Sequence, residues 1–266
     1  MNQQFDILII DDEQIIVKAT RKLLVLEGFN IDEAVDVETA IEKLEQNSYK
    51  LIISDLMLPR VSGIDLINRL KITHPDVPVI IISGYAMVEN AIRSFRAGAF
   101  DFLPKPFDVH ELLGVVYRAM RHRAIIKDAG QRDAKHVSSA EISKAWKKEK
   151  SDYYFLGQHS WARLESEGAV TFGIGQTFFG RIGPLERIEF PTRYSDLWQG
   201  NLCVRIFESK ELIHLVWAPL SGKVIEINHE LQQNPNLINS DPFGRGWLLK
   251  MLPTCLESEL DNLNHQ

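Results

Sequence analysis

The nine residues 51–59, LIISDLMLP, decide the fold of the first half of this 266-residue chain. A leucine and two β-branched isoleucines lead into Ser54 and a carboxylate, Asp55, which is the composition of a buried strand that ends at a polar site. Further β-branched runs stand on both sides, with amphipathic helical stretches between them. The five strand candidates are residues 7–10, 31–34, 51–54, 79–82 and 100–103. This alternation predicts an α/β domain with a doubly wound, five-stranded parallel sheet.

The helical stretches between the strands carry recognisable ends. Residues 15–26 place their apolar side chains at helical spacing, and Gly28 follows as a stop signal. The last helix of the domain has Asp108 as its candidate N-cap, and Glu111 holds the position that completes a capping box. Five helices are therefore expected beside the five strands.

Five polar side chains fall at the carboxyl ends of the predicted strands, where an open parallel sheet binds its ligand. They are Asp11, Asp12, Asp55, Ser83 and Lys105. Three carboxylates held together repel one another, and an oxygen-preferring dication such as Mg²⁺ offsets that repulsion. Taken singly, each residue also has a structural explanation as a helix cap, a strand end or a turn before proline. Their convergence favours a metal-dependent phosphoryl-binding site.

Four short motifs occur in order along this domain, each after a predicted strand. They are Asp11-Asp12, residues 54–59 followed by Gly63, residues 83–86, and residues 102–107. In these motifs the chain resembles the receiver domains of two-component response regulators, which have a flavodoxin-like fold. The resemblance begins at residue 5, and residues 1–121 are assigned to this domain.

The resemblance implies a role for each residue of the acidic site. Asp55 would accept a phosphoryl group from a sensor histidine kinase or a phosphotransfer protein. Mg²⁺ would be bound directly by Asp12, by Asp55 and by the backbone carbonyl of Met57, and through a water molecule by Asp11.

Three further residues are implied in a conformational switch. Lys105 would pair with the phosphoryl oxygens, and Ser83 would hydrogen-bond the phosphoryl group. Phe102 would turn inward as Ser83 moves and so change the surface around the fourth helix and fifth strand, although packing in the core explains an aromatic residue there equally well. Receivers often dimerise when phosphorylated, so the resemblance also implies a homodimer in that state.

From Arg118 onwards the sequence becomes polar and basic, and residues 122–152 are interpreted as a linker. Residues 118–154 hold 10 basic and 5 acidic side chains, while the segments on both sides are acidic. A capping-box sequence at residues 138–141 opens a short helix through Trp146, so the linker is expected to be partly helical. Because the basic excess is confined to the linker, no nucleic-acid partner is expected.

Residues 153–266 are predicted to form a second, mainly β domain, because short strands alternate with Gly, Pro and Asn turns. This segment resembles the H protein of the glycine cleavage system, a lipoyl-domain-like barrel-sandwich fold that carries lipoate on a lysine at a hairpin tip. The matching stretches are residues 159–161, 170–174, 188–191, 218–224 and 234–248.

The lysine that would carry lipoate can be placed in two registers. Counted forward from Gly173-Ile174 its position is Lys210, but counted back from Ala218-Pro219 it is Glu211. Only the second register aligns Glu208-Ser209 with the Glu-Ser pair of the family, so lipoate is not expected as a cofactor. The alternative hypothesis is a lipoyl carrier modified on Lys210 and gated by phosphorylation.

The remaining features bound the function. The N-terminus shows no export signal, no apolar run approaches the roughly 20 residues of a membrane helix, and Cys203 and Cys255 form no disulfide or zinc pattern. His159, His214 and His229 lack a neighbouring nucleophile or a metal-ligand spacing, and His214 is interpreted as a core residue. We therefore expect a cytoplasmic signalling switch with no membrane partner and no enzymatic output, whose second domain binds an unidentified downstream protein.

Overall fold

The computed structural model describes residues 4–84, 88–131, 153–209 and 211–265. The N-terminal domain is built on a parallel sheet with the strand order β2-β1-β3-β4-β5. Its strands are β1 (Ile7–Ile10), β2 (Ile31–Ala34), β3 (Leu51–Asp55), β4 (Val79–Ser83) and β5 (Asp101–Pro104). Its helices are α1 (Gln14–Leu26), α2 (Val37–Gln46), α3 (Gly63–Thr73), α4 (Val88–Ala97) and α5 (Val109–Gln131). The predicted doubly wound α/β fold is confirmed.

The three central strands hold this domain together. Every residue of β1, β3 and β4 is buried, so helices cover the sheet on both faces. Full burial of each isoleucine side chain contributes about 1.5–3 kcal/mol of hydrophobic free energy. The strand order reverses between β1 and β3, which places the ligand crevice of the sheet beside the ends of these two strands.

The predicted capping box at the start of α5 is present. The backbone N–H of His110 donates to Asp108 Oδ1 at 2.7 Å, and Glu111 Oε2 accepts from the N–H of Asp108 at 3.1 Å. The helix continues to Gln131, past the boundary that the sequence suggested at residue 121. Arg118, the first residue of the polar, basic stretch, is fully buried. The helix expected from residue 138 to Trp146 lies outside the described residues.

The C-terminal domain is mainly antiparallel β, as predicted. Two sheets have the orders β10-β13-β14-β8-β7-β6-β15 and β12-β11-β9. The strands are β6 (Tyr153–Leu156), β7 (Ser160–Leu164), β8 (Val170–Ile174), β9 (Leu185–Glu189), β10 (Asp196–Leu197), β11 (Leu202–Glu208), β12 (Leu212–Trp217), β13 (Gly222–Ile227), β14 (Leu249–Pro253) and β15 (Asn264–His265). Three short helices complete it: α6 (Glu230–Gln233), α7 (Leu237–Ser240) and α8 (Leu256–Leu260).

The two domains pack together along β5 and α5. β5 lies at one edge of the parallel sheet, and Phe102 on this strand contacts Trp217 at the end of β12. An edge strand exposes unpaired backbone groups, and covering it with another element is a common protection. None of the described helices combines the length and the apolar character needed to cross a membrane.

Candidate functional site

Three carboxylates meet at the carboxyl ends of two adjacent strands. Asp11 follows β1 directly, Asp12 comes next, and Asp55 is the last residue of β3, which pairs with β1 so that Ile10 lies opposite Ser54. One oxygen of each carboxylate lies within 4.8 Å of the others. Asp11 and Asp55 are buried, and Asp12 is exposed to solvent. The cluster is therefore held by the sheet and open on one side.

Lys105 partly neutralises this cluster. Its Nζ lies 2.8 Å from Asp11 Oδ2, 3.2 Å from Glu13 Oε1 and 3.4 Å from Asp55 Oδ2. The backbone N–H of Lys105 also donates to the carbonyl of Ser83 at 2.8 Å, which ties the end of β4 to the residue after β5. Burial opposes the charged ammonium, but the hydrogen bond to Asp11 and the charge of Asp55 outweigh it and raise the pKa of Lys105.

The environment of Asp55 disfavours its negative charge. Burial is the main cause that raises the pKa of this carboxyl, with a further contribution from the neighbouring Asp11. Lys105 and the backbone N–H groups of Leu56 and Met57 act in the opposite direction but do not outweigh burial. Three carboxylates facing one ammonium leave excess negative charge, so the site has the charge and the oxygen donors that suit a divalent cation.

The loop after Asp55 approaches the site closely. Gly63 opens α3 against this loop, and its N–H donates to the carbonyl of Leu56 at 2.9 Å. A side chain at Gly63 would overlap the backbone carbonyl of Asp55, so the absence of a Cβ permits this packing. Met57 follows within the loop and is 54% exposed.

The two expected switch residues lie on neighbouring strands. Ser83 ends β4 and is completely buried, one strand away from Asp55. Phe102 is also buried, but it packs against the second domain, where its ring meets that of Trp217 edge-to-face with centroids 5.6 Å apart. Residues 85–87, which belong to the motif after β4, lie outside the described residues.

A five-stranded parallel sheet with an acidic cluster and a lysine at its carboxyl edge defines the receiver class of α/β domain. A family model described as "Response regulator receiver domain" matches residues 7–117, and one described as "Glycine cleavage H-protein" matches residues 153–266. The first half of the chain is thus a response regulator receiver domain, and the second half belongs to the glycine cleavage H-protein family.

Individual relatives divide along the same boundary. The glycine cleavage system H protein of Shewanella halifaxensis is 38% identical over 109 residues, which are 41% of this chain and 83% of that protein. The nitrogen assimilation regulatory protein NtrX of Azorhizobium caulinodans is 36% identical over 117 residues, 43% of this chain but only 26% of that protein. Among solved structures, the receiver domain of NtrX from Brucella abortus is 35% identical in sequence to the matching part of this chain. The match covers 44% of this chain and 98% of that domain, with a TM-score of 0.42. The receiver assigns the chain to phosphorylation-dependent two-component signalling.

The hairpin that would carry lipoate lies in the second domain between β11 and β12. Glu208 pairs with Leu212, so residues 209–211 form the connection between the two strands. Glu211 is exposed and adopts a positive φ of 63° at the last position of this connection. Lys210 lies outside the described residues, so its candidacy for modification stays a prediction.

A set of polar side chains at the domain boundary was not recognised from the sequence. Glu208 is buried and accepts a hydrogen bond from His214 Nε2 at 2.8 Å, and the guanidinium of Arg121 pairs with both of its oxygens at 2.8 and 3.0 Å. His214 is the core residue that the sequence predicted, but its partner is a charged group. The spacing of Gly114, Arg118 and Arg121 on one helical face is the signal that could have indicated a packed surface.

Proposed function

We propose that Asp55 is the phosphoacceptor of this response regulator and that a sensor histidine kinase or a phosphotransfer protein is the donor. A carboxylate oxygen of Asp55 forms the new bond to phosphorus, and the bond from phosphorus to the imidazole nitrogen of the donor breaks. The observation that carries the proposal is the position of Asp55 at the end of β3, in reach of Lys105 and two further carboxylates.

The donor set fits Mg²⁺, which prefers oxygen ligands and keeps open coordination positions. Asp12, Asp55 and the backbone carbonyl of Met57 would hold the ion directly, and Asp11 would act through a bound water molecule. Bound there, Mg²⁺ would neutralise negative charge on the transferring phosphoryl group. Exposed Asp12 leaves this side of the cluster accessible from solvent.

Lys105 and Ser83 are the residues that would hold the phosphoryl group after transfer. Lys105 already lies 3.4 Å from Asp55, so its ammonium needs little movement to reach a phosphoryl oxygen. Ser83 is joined to Lys105 through the backbone hydrogen bond between β4 and the residue after β5. A shift at one of these positions is therefore transmitted to the other.

The second domain then serves as an output module that binds another protein. It is not lipoylated and does not bind DNA. Glu211 stands at the position of the modified lysine when residues are counted back from Ala218-Pro219, and a carboxylate cannot form the amide bond that joins lipoate to a lysine. The intact mass of the protein from its native host tests this proposal. A lipoyl adduct on Lys210 would contradict it.

The experiment for the phosphoacceptor is Mg²⁺-dependent labelling of the full chain by a phosphorylated histidine kinase domain. We expect Asp55→Asn to abolish the label and Asp65→Asn, on the exposed surface of α3, to retain it. Undiminished labelling of the Asp55→Asn protein would assign the phosphoryl group to another residue.

A further inference from the structure

A cleft lies between the two domains, at the end of the parallel sheet opposite the acidic cluster. We call it the boundary cleft, and its volume is about 290 Å³, roughly that of ten water molecules in the liquid. The receiver lines it with the last turns of α3 and α4 and with residues around the starts of β4 and β5, and the second domain lines it with residues 157–158, 177 and 264. Leu70, Phe95 and Phe100 provide an apolar wall. The cleft therefore suits a small molecule with a carbon skeleton.

Thr177 lines this cleft without a partner for its hydroxyl. The residue is 2% exposed, and its Oγ1 forms no hydrogen bond among the described residues. Its backbone N–H donates to the carbonyl of Gln158 at 3.0 Å, which holds the residue at the cleft. A valine would fill nearly the same volume without the desolvation cost of an unpaired hydroxyl. The fold therefore gives no reason for the hydroxyl, whereas a ligand in the cleft would supply its partner.

His122 brings a second unpaired polar atom, from the receiver side of the cleft. Its Nδ1 is buried and has no hydrogen-bond partner in the part of the chain that the structure describes, and its ring packs against Phe100 with centroids 5.1 Å apart. Burial is the main cause that lowers the pKa of His122 to about 4, so the ring is neutral at pH 7. A neutral imidazole carries one N–H, which can lie on Nδ1 and donate to an oxygen in the cleft.

Positive charge is in excess near His122. Three arginines lie on this side of the domain boundary, and the guanidinium groups of Arg118 and Arg121 each pair with a carboxylate. Arg181 is 7% exposed, and its guanidinium donates to two backbone carbonyls, at 2.7 and 2.6 Å, without a carboxylate partner among the described residues. Its charge is close enough to contribute to the lowered pKa of His122. A buried cation without a counter-charge is costly, so an anion beside His122 would be stabilised.

Two exposed cations, Lys71 and Arg96, also line the cleft. Lys71 Nζ lies so close to Gly98 that a Cβ there would approach it to 2.6 Å, and Arg96 donates to the side-chain oxygen of Asn262 at 3.0 Å. Within the described residues neither cation pairs with a carboxylate, and Asp76 is the one carboxylate that lines the cleft. The exposed side of the cleft thus has a net positive charge, which attracts anions.

We propose that the boundary cleft binds a small organic anion, whose oxyanion group accepts hydrogen bonds from Thr177 and His122. Lys71 and Arg96 favour its approach. A carboxylate and a phosphate ester share this chemistry, because both present charged acceptor oxygens. The two hydrogen-bonding groups come from different domains, so the site belongs to the full chain and to neither domain alone. The inference does not rest on phosphorylation of Asp55, which lies at the other end of the sheet.

Titration of the full chain, followed by NMR of the backbone amides, tests the proposal with two probes. Inorganic phosphate stands for a phosphate ester and succinate for a carboxylate, each at a constant ionic strength set with sodium chloride. EDTA keeps the acidic cluster free of metal, so its negative charge disfavours both probes there. We expect at least one probe to shift the amides of Gly157, Gln158 and Thr177 saturably, with half-saturation below about 10 mM. The probe that saturates at the lower concentration identifies the class of oxyanion.

Thr177→Val tests the hydroxyl itself. We expect the half-saturating probe concentration to rise at least about tenfold, because a hydrogen bond to a charged acceptor is lost. Stability without a probe should be unchanged or higher, since the hydroxyl has no partner among the described residues. Thr254→Val, at an exposed position of the same domain, should leave the titration unchanged. This combination distinguishes a ligand contact from a structural role, because loss of a structural contact would lower stability.

Lys71→Gln tests the exposed side of the cleft, and we expect it to raise the half-saturating concentration about two- to fivefold. Arg69→Gln is the matched control, since it removes the same charge from the same helix outside the cleft, and its effect should be smaller. The proposal is overturned if neither probe saturates, if Thr177→Val binds as wild type does, or if Thr177→Val markedly loses stability. The titration contains no phosphoryl donor, so its outcome is independent of the role of Asp55.

Discussion

Phe102 of the receiver and Trp217 of the H-protein-like domain meet edge-to-face, with ring centroids 5.6 Å apart and an interplanar angle of 82°. Both rings are buried, so each domain completes part of its core with a side chain from the other. Such aromatic pairs add about 0.5–1.5 kcal/mol beyond the area that they bury. The two domains are thus expected to unfold with shared cooperativity.

Replacing Trp217 tests this shared core. We expect Trp217→Leu to lower the free energy of unfolding by about 2–4 kcal/mol, because it removes a buried aromatic ring and leaves a cavity beside Phe102. Trp198→Leu, at a 57% exposed position, should cost less than about 1 kcal/mol. Urea unfolding followed by circular dichroism gives both values, and equal costs for the two variants would argue against the interdomain contact.

Lys105 offers a test of the electrostatics of the acidic cluster. Lys105→Ala leaves Asp11 and Asp55 without their cation, so we expect a loss of about 3 kcal/mol in the absence of Mg²⁺. Saturating Mg²⁺ should restore part of that stability, since it supplies the missing positive charge. Lys50→Ala, which breaks a more exposed pair with Asp6, should cost at most about 1 kcal/mol and show no such rescue.

A substitution at Asp12 should affect Mg²⁺ binding without affecting the stability of the metal-free protein. Because this carboxylate is exposed, Asp12→Asn should leave the stability of the metal-free protein within about 0.5 kcal/mol of wild type. The rise in melting temperature that Mg²⁺ produces in wild type should be lost or strongly reduced. Thermal melts with EDTA and with Mg²⁺ make the comparison, and an unchanged Mg²⁺ effect would exclude Asp12 as a ligand.

Acid should weaken the protein through two histidines near the domain boundary, the half-buried His122 and the fully buried His214. Burial is the main cause that lowers the pKa of His122 and of His214 to about 4, and the charge of Arg118 contributes to both. Arg181 acts in the same direction on His122, whereas Glu208 raises and Arg121 lowers the pKa of His214.

The sign of the effect follows from these shifts. A folded-state pKa below the unfolded value of about 6.5 contributes stability that is complete above pH 6.5 and is lost as pH falls towards 4. Each histidine should therefore remove up to about 1.4 kcal/mol per pH unit in that window. Urea unfolding at pH 7.5, 6 and 5 measures the slope, and His122→Asn should make it shallower. A flat profile between pH 6 and pH 5 would contradict the presence of neutral His122 and His214 in the folded protein.

The sheet and the acidic site could be predicted from the sequence because both follow from local patterns. Three runs rich in isoleucine, leucine and valine specify the buried central strands β1, β3 and β4, and all five observed strands agree with the predicted ones to within a residue or two at their ends. Polar residues directly after such strands must gather at one edge of the sheet, so the grouping of Asp11, Asp12 and Asp55 needed no knowledge of the helices.

The domain contact could not be predicted, because it joins residues far apart in the chain. Arg118 opens a polar, basic stretch of the kind that usually faces solvent. It is nevertheless completely buried, between β5 and the ring of Phe178. Gly114 is a single glycine within α5, and the sequence gives no reason for it. In the structure a Cβ at this position would overlap the backbone carbonyl of Ile213, so the glycine permits close packing of α5 on β12. Long-range packing overrides local polarity at these positions.

The receiver packs against β11 and β12, so it competes with any other protein for that surface. Two surfaces joined in one polypeptide meet at an effective concentration on the order of millimolar. A free protein that recognises the surface around Glu208 and Trp217 would have to displace Arg121 and Phe102 of the receiver, which already contact these two residues.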